Sequence, residues 1–166
     1  RLEREVRRHG AVPATVAVLR GVLHIGLDDA QLEALAKLGT RARKVSRRDL
    51  AFVAAQRMNG ATTVAATLYA CELADIPLFA TGGLGGVHRG ASESFDISAD
   101  ILELARSRAM VVCAGVKSVL DIAKTLELLE TAGVAACALG QNTFPAFYTR
   151  SSKIPAPIVL ASERDA

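Results

Sequence analysis

Three short stretches of this chain carry residue types that do chemistry. The run from Thr81 to Gly90 (TGGLGGVHRG) holds five glycines in ten residues, with His88 and Arg89 among them. Such a run exposes backbone N–H groups and admits positive φ, as an anion cradle requires. It departs from the dinucleotide fingerprint, because His88 stands in the third glycine's place after Gly83 and Gly85, and it lacks the Lys-Ser/Thr ending of a P-loop. A tight Gly-rich turn without a ligand is the plain alternative. The second stretch, Gly115-Val-Lys117-Ser118, puts a lysine just past an apolar run. Desolvation favours the neutral amine of a lysine, which can attack a carbonyl and form a Schiff base. A lysine whose stem snorkels to water fits the position equally well. In the third, Ser94-Phe-Asp96-Ile-Ser98-Ala-Asp100, spacing by two puts Asp96, Ser98 and Asp100 on one side of an extended segment. Two carboxylates so placed hold a divalent ion such as Mg²⁺ or Mn²⁺ through oxygen. Alternatively Ser98 caps the helix that follows and Asp100 sits at its positive end.

Strands must end near Thr81 and Ala114 to hold these loops. Residues 76–81, 110–114 and 134–139 are short apolar runs, separated by helical patterns near 99–108 and over 118–131, with Gly133 as a stop. Strand–helix–strand–helix–strand with wholly apolar strands predicts right-handed crossovers and a buried parallel sheet. Ligands bind at the carboxyl ends of such strands. Upstream, residues 1–9 read as a charged helix stopped by Gly10. Strands 14–19 and 22–27 flank the turn Arg20-Gly21. Asp28 caps a helix carrying Leu32, Leu35, Ala36 and Leu38. Ser46 and Asp49 approximate a capping box that opens a helix to about Met58. Gly60 breaks it, and residues 62–74 resume as a small-residue helix. The segment Lys153-Ile-Pro-Ala-Pro reads as extended, and the last ten residues as nothing regular. The expected fold is α/β, a mixed, largely parallel sheet flanked by helices.

Composition agrees. The chain has 166 residues, 51% apolar and 4% aromatic, which suits one α/β domain over 1–166 with buried strands and excludes disorder. Residues 1–57 hold 12 Lys/Arg against 6 Asp/Glu, whereas the remainder is net acidic. A basic front of this size is a solvated helix face or a surface for phosphorylated ligands. Five Phe and two Tyr are too few for a single-strand reader, and no nucleic-acid motif is present, so no nucleic-acid partner is expected. Cys71, Cys113 and Cys137 lack any CxxC pairing and read as buried reduced thiols of a cytoplasmic protein. No apolar run reaches the roughly 18 residues of a membrane span.

The three stretches belong to a longer ordered series. It begins with Gly60-Ala-Thr-Thr-Val-Ala-Ala-Thr67 and Phe79-Ala-Thr-Gly-Gly-Leu-Gly-Gly-Val-His-Arg-Gly90, followed by Ser94 to Asp100 and Cys113-Ala-Gly-Val-Lys-Ser118. Thr125-Leu-Glu-Leu-Leu-Glu-Thr131 and Phe144-Pro-Ala-Phe-Tyr148 complete it. From about residue 1 to about 152 the series closely resembles the pseudouridine-5′-phosphate glycosidase family, also called the indigoidine synthase A-like family. The resemblance implies reversible cleavage of the C–C glycosidic bond of pseudouridine 5′-phosphate to uracil and ribose 5-phosphate. A carbon-linked base is a poor leaving group, so the two-carboxylate route of ordinary glycosidases is unavailable. The family uses a lysine that attacks C1′ of the ring-opened ribose, and the match places it at Lys117. It also implies a manganese ion on Asp96, and substrate contacts from Lys44, the backbone of Val64, Ser98, Ala99 and Asp100. His88 falls in the same pocket. Lys44, beside Arg43 and Arg47, makes the basic front a phosphate-facing candidate. A homotrimer is the implied assembly.

The chain departs from the family pattern in extent. Family members carry an acidic proton donor, a Glu upstream of the first residue here. Glu3 and Glu5 lie on a helix that matches sequence beyond it. Family chains are nearly twice as long, Gln141-Asn142 replaces the usual lead into Phe-Pro-Ala-Phe, and residues 153–166 diverge. The expectation is therefore a piece of the family fold, truncated at both ends. A catalytically silent fragment that keeps ligand binding or a subunit interface is the alternative reading.

Overall fold

The turn between the first two strands shows how local sequence directs this chain. The computed structural model describes residues 2–166, which divide between Ala70 and Cys71 into two compact units. In the first, helix α1 (Leu2–Arg8) precedes strands β1 (Val16–Leu19) and β2 (Val22–Ile25), paired antiparallel with Leu19 opposite Val22. Arg20 (φ 52°) and Gly21 (φ 81°) are both left-handed, as a two-residue hairpin turn matched to strand twist demands. Gly21 has no alternative, since a Cβ there would stand 2.7 Å from the Ala54 carbonyl oxygen.

Helix α2 (Asp29–Leu38) starts on the expected cap, where Gln31 N–H donates to the Asp28 side chain at 2.8 Å and the Gln31 side chain returns a bond. Strand β3 (Arg43–Val45) follows. The Ser46/Asp49 capping box forms, but it opens a 3₁₀ turn over Arg47–Asp49 before helix α3 (Leu50–Ala55). That helix stops three residues short of the expected end, at the left-handed Arg57. Gly60 opens a strand rather than merely ending a helix. Strand β4 (Gly60–Thr62) pairs antiparallel with β1 and parallel with β3, giving the order β2-β1-β4-β3. Val18, Val45 and Val53 are buried between this sheet and α3, with Leu23, Leu50 and Met58 against them. Burying each such side chain contributes roughly 1.5–3 kcal/mol. Helix α4 (Val64–Leu73) is apolar on all sides and leads out of this unit.

The second unit alternates short strands and helices. They are β5 (Leu78–Ala80), β6 (Val87–His88), α5 (Ala91–Ser94), α6 (Asp100–Arg106), β7 (Met110–Val112), β8 (Leu120–Asp121), α7 (Ile122–Thr131), β9 (Cys137–Leu139) and β10 (Ile158–Leu160). β5 pairs parallel with β7, β9 parallel with β10, and β6 antiparallel with β8. The α/β class with mixed, largely parallel strand pairs is therefore present, in pieces rather than as one buried sheet. Leu78, Met110 and Val112 are 53%, 48% and 53% exposed, so the expectation of wholly buried strands does not hold within this chain. The last residues are regular after all, because β10 finds its partner in β9. Helix α7 begins at Ile122 rather than near Ser118, because Asp121 caps it by accepting the Lys124 N–H at 3.1 Å. The core gathers Ile101, Val116, Leu120, Leu126, Leu129 and Phe144. No helix of the described residues is long and apolar enough to cross a membrane.

Candidate active site

The Gly-rich turn and the lysine loop are laced together by their backbones. Leu84 N–H donates to the Gly115 carbonyl (3.0 Å), Lys117 N–H to the Leu84 carbonyl (3.1 Å), and Ala114 N–H to the Gly82 carbonyl (3.1 Å). The two loops thus extend the parallel pairing of β5 and β7 past their carboxyl ends, with Leu84 bridging Val116. Lys117 is exposed and its amine makes no ion pair among the described residues. Of the two readings open in the sequence, a desolvated amine and a stem that snorkels to water, the exposure within this chain matches the second. What the structure supplies is a fixed backbone from which the amine projects.

Part of the turn's backbone is committed within the chain. Besides Leu84, Gly85 N–H donates to Asp100 Oδ2 at 2.8 Å, Val87 N–H to Thr125 Oγ1 at 3.0 Å, and His88 N–H to the Asp96 carbonyl at 3.0 Å. These donors are consumed within the chain. None of Gly82, Gly83, Gly85 and Gly86 has positive φ, and at Gly83, Gly85 and Gly86 the missing Cβ makes room. A Cβ on Gly85 would meet the Ser98 and Asp100 side chains, one on Gly86 the Thr125 side chain, and one on Gly83 the Phe147 ring and the Lys117 stem.

Of the three hydrophilic positions of the third stretch, Ser98 and Asp100 converge on Gly85, whereas Asp96 faces solvent. The chain turns into α6 at Asp100. Asp96 has 64% of its side chain exposed, whereas Asp100 is only 4% exposed. Ser98 Oγ accepts the Asp100 N–H at 3.3 Å from one residue ahead of Ala99, the α6 N-cap, which has no side-chain cap of its own. Ala99 is exposed beside it. His88 Nδ1 lies 3.7 Å from Asp96 Oδ2, and its backbone pairs with that of the same residue. In the first unit, Lys44 is exposed on β3, and Val64 is buried at the start of α4. Its neighbour Arg43 lies 3.8 Å from Asp49 and 5.2 Å over Phe52, and Arg47 lies 4.5 Å over the Tyr69 ring. A groove lined by Val18, Leu23, Arg47, Leu50 and Tyr69 takes in Arg47 of the basic front but not Lys44 or Val64.

A metal must be judged against this donor set. Among the described residues no three His, Cys, Asp or Glu side chains gather. An ion caged by protein ligands therefore does not fit. A hard divalent ion that keeps most of its water and takes one or two carboxylates does fit, at the exposed Asp96. Two further groups have clear electrostatics. The Lys124 backbone N–H, the Lys124 ammonium and Arg89 hold the Asp121 carboxyl below its usual range. Burial pushes the Cys113 thiol up, partly offset by the Gly115 N–H it accepts. All three cysteines are free, with Cys71 buried but Cys137 exposed on β9, against the expectation of three buried thiols.

Two side chains that shape the site carried no signal of their own in sequence. Thr125 lies on the core face of an ordinary amphipathic helix, and Phe147 in what reads as a loop. Both fall inside runs of the resembling series, which is the trace that could have marked them.

Fold and site together define an α/β protein whose reactive-type residues collect on loops past the ends of parallel strands. Residues 1–166 match the profile of the indigoidine synthase A like proteins, and the chain belongs to that family. It is 58% identical over 161 residues to a pseudouridine-metabolizing bifunctional protein of Schizosaccharomyces pombe, covering 96% of this chain and 22% of that protein. It is 54% identical over 151 residues to the pseudouridine-5′-phosphate glycosidase of Clostridium botulinum, covering 91% and 49%. For the Escherichia coli enzyme of the same name the identity is 51% over 161 residues, covering 97% and 52%. Among solved structures, an indigoidine synthase A-like protein of Thermotoga maritima superposes with a TM-score of 0.85 at 36% identity, over 95% of this chain and 53% of that one. The prealnumycin C-glycosynthase AlnA, solved with ribulose 5-phosphate, gives 0.90 at 39%, over 97% and 53%. The chain spans about half the length of most of these relatives.

Proposed function

We propose that this chain carries the lysine centre of a pseudouridine-5′-phosphate glycosidase, which reversibly cleaves the base–ribose C–C bond to give uracil and ribose 5-phosphate. The names of the curated relatives support the activity, and the phosphosugar bound by AlnA supports the substrate class. The observation that carries the reading is the seat of Lys117, a rigid strand-end loop from which an exposed amine projects. In this reading the Lys117 Nζ lone pair forms a bond to C1′ as C1′–O4′ breaks, and O4′ takes a proton. The nitrogen then forms the imine as the C1′–C5 bond breaks, and C5 of the base takes a proton. Water hydrolyses the imine, returning the free amine and ribose 5-phosphate. The nitrogen lone pair supplies the push that expels the carbon leaving group, and protonation of C5 completes its departure.

Lys44 is assigned to the phosphate, with the Val64 backbone, Ser98, Ala99 and His88 as substrate contacts. Asp100, spent on Gly85, shapes the pocket wall as well as reaching substrate. Asp96 holds Mn²⁺, which when bound neutralises charge on substrate oxygens. The proposed assembly is a cytoplasmic homotrimer, measurable by sedimentation velocity.

The test is borohydride trapping with ribose 5-phosphate and Mn²⁺, on this chain and on one extended to its relatives' length. A reduced adduct on Lys117, located by mass spectrometry and lost in Lys117→Arg, is the expected result. An adduct elsewhere, or none with either chain, overturns the nucleophile assignment. Asp96→Ala should abolish the change in the Mn²⁺ electron paramagnetic resonance signal on adding protein. A second reading, a silent piece that keeps an interface, draws on the uncovered Leu78, Met110 and Val112 of β5 and β7. Uracil release by the extended chain but not by this one would favour it.

A further inference from the structure

We propose that Phe147 is the positioning residue of Lys117, its ring forming the wall that holds the lysine stem in line. The proposal rests on the lysine reading above. Its basis is a three-way contact of Gly83, Phe147 and Lys117. The space a Cβ on Gly83 would fill lies 2.5 Å from Phe147 Cδ2 and Cε2 and 3.2 Å from Lys117 Cγ. Ring and stem therefore converge on one bare glycine.

Phe147 is not there for the core. The buried cluster takes Phe144 and leaves Phe147 out. Its ring is half-buried, with the Tyr148 ring edge-on at 4.5 Å. Its backbone is left-handed, at φ 64°, a conformation that bulky residues avoid and that persists only where surrounding structure imposes it. The imposing contacts are visible. Phe147 N–H donates to the Ala114 carbonyl at 3.0 Å, Tyr148 N–H to the Ala146 carbonyl at 2.7 Å, and Ala146 bridges Gly115. Gly115 (φ 100°) admits this docking because the Pro145 carbonyl occupies the space of its missing Cβ. Three bonded segments thus bring an aromatic ring, at a cost in backbone strain, to the stem of the one lysine on that loop. Glycine would relieve the strain at once, so the ring must do something glycine cannot.

Phe147→Gly separates the two explanations, because it removes the ring and relaxes φ together. The expected result is an unchanged or raised thermal midpoint, with the maximal rate of borohydride trapping on Lys117 reduced about tenfold or more, as misplacing a reacting group does. The ribose 5-phosphate concentration at half-maximal rate should hardly move, and Phe147→Leu should restore part of the rate. Side-chain ¹³C relaxation of Lys117, read without any ligand, should show greater disorder in Phe147→Gly than in the parent. Equal trapping rates, or equal order of the Lys117 stem, overturn the proposal. If the parent itself gives no adduct on Lys117, the reading of the reaction fails, and the relaxation measurement alone decides whether Phe147 positions the side chain.

Discussion

Asp100 Oδ2 accepts the backbone N–H of Gly85 at 2.8 Å, and the carboxylate that makes this bond is almost wholly buried. A charge held there is spent on the architecture of the Gly-rich turn. It ties the start of α6 to the loop that seats Lys117, and Gly85 lacks a Cβ because the Ser98 and Asp100 side chains stand where it would be.

Asp100→Ala should therefore destabilise the protein by about 1–3 kcal/mol, the cost of leaving a buried donor unpaired. Asp100→Asn, which keeps an acceptor oxygen, should lose less. Urea denaturation of the three proteins checks this. An alanine variant as stable as the parent would mean that the carboxylate acts on ligand alone.

Thr125, on α7, repeats the device two residues further along the Gly-rich run, at Val87. Its hydroxyl donates to the Asp121 carbonyl at 2.6 Å and accepts the Val87 N–H at 3.0 Å, with no exposure at all. Thr125→Val preserves shape and strands both partners, with an expected loss of about 1–3 kcal/mol. Thr125→Ser should retain most of the stability. Thermal unfolding of the pair distinguishes hydrogen bonding from packing.

Asp121 caps α7, and the Lys124 N–H, the Lys124 side chain and Arg89 favour its ionised form. Its folded carboxyl is more acidic than the unfolded one, near pH 3.9. The stabilisation is thus present above that value and lost as pH falls through the folded pKa. Asp121→Ala should cost about 1 kcal/mol at neutral pH and flatten the acid limb of the stability curve. An unchanged acid limb would remove Asp121 from it.

The cysteines should separate by reactivity. Burial raises the Cys71 and Cys113 thiols, and Cys137 is exposed. Ellman's reagent at pH 8 should show one fast thiol, abolished by Cys137→Ala, and two slow ones. Because the folded chain holds the two buried protons longer than the unfolded chain, whose thiols titrate near 8.5, stability should fall as pH rises past that value. Fast modification of all three would show the second unit opening on the reagent's timescale.

Much of the fold was legible along the chain, for reasons local to each element. Asp28 with Gln31 and Ser46 with Asp49 form their capping boxes, and Arg20-Gly21 forms its turn, because those bonds join residues no more than three apart. Loops past β5 and β7 were expected where the parallel pair ends. The short strands β3, β4, β6 and β8 escaped, because two or three residues carry no period and each owes its existence to a partner distant in sequence. The role of Ser98 was open in the sequence, and only the fold shows its hydroxyl on the Asp100 N–H and beside Gly85.

The order of motifs along the chain established the family and nominated Lys117, Asp96 and Lys44, because residue types at fixed spacing persist whatever covers them. Folding alone assigned the polar groups to partners. Gly83, Gly85 and Gly86 serve space rather than positive φ, the N–H groups of Gly85, Val87 and His88 are consumed by Asp100, Thr125 and Asp96, and Lys117 stands exposed. Those outcomes depend on which distant side chain arrives within about 3 Å of a donor. Phe147 reaches Gly83 and Lys117 only because the chain between residues 144 and 149 folds back on Ala114 and Gly115. No spacing in the sequence encodes that return.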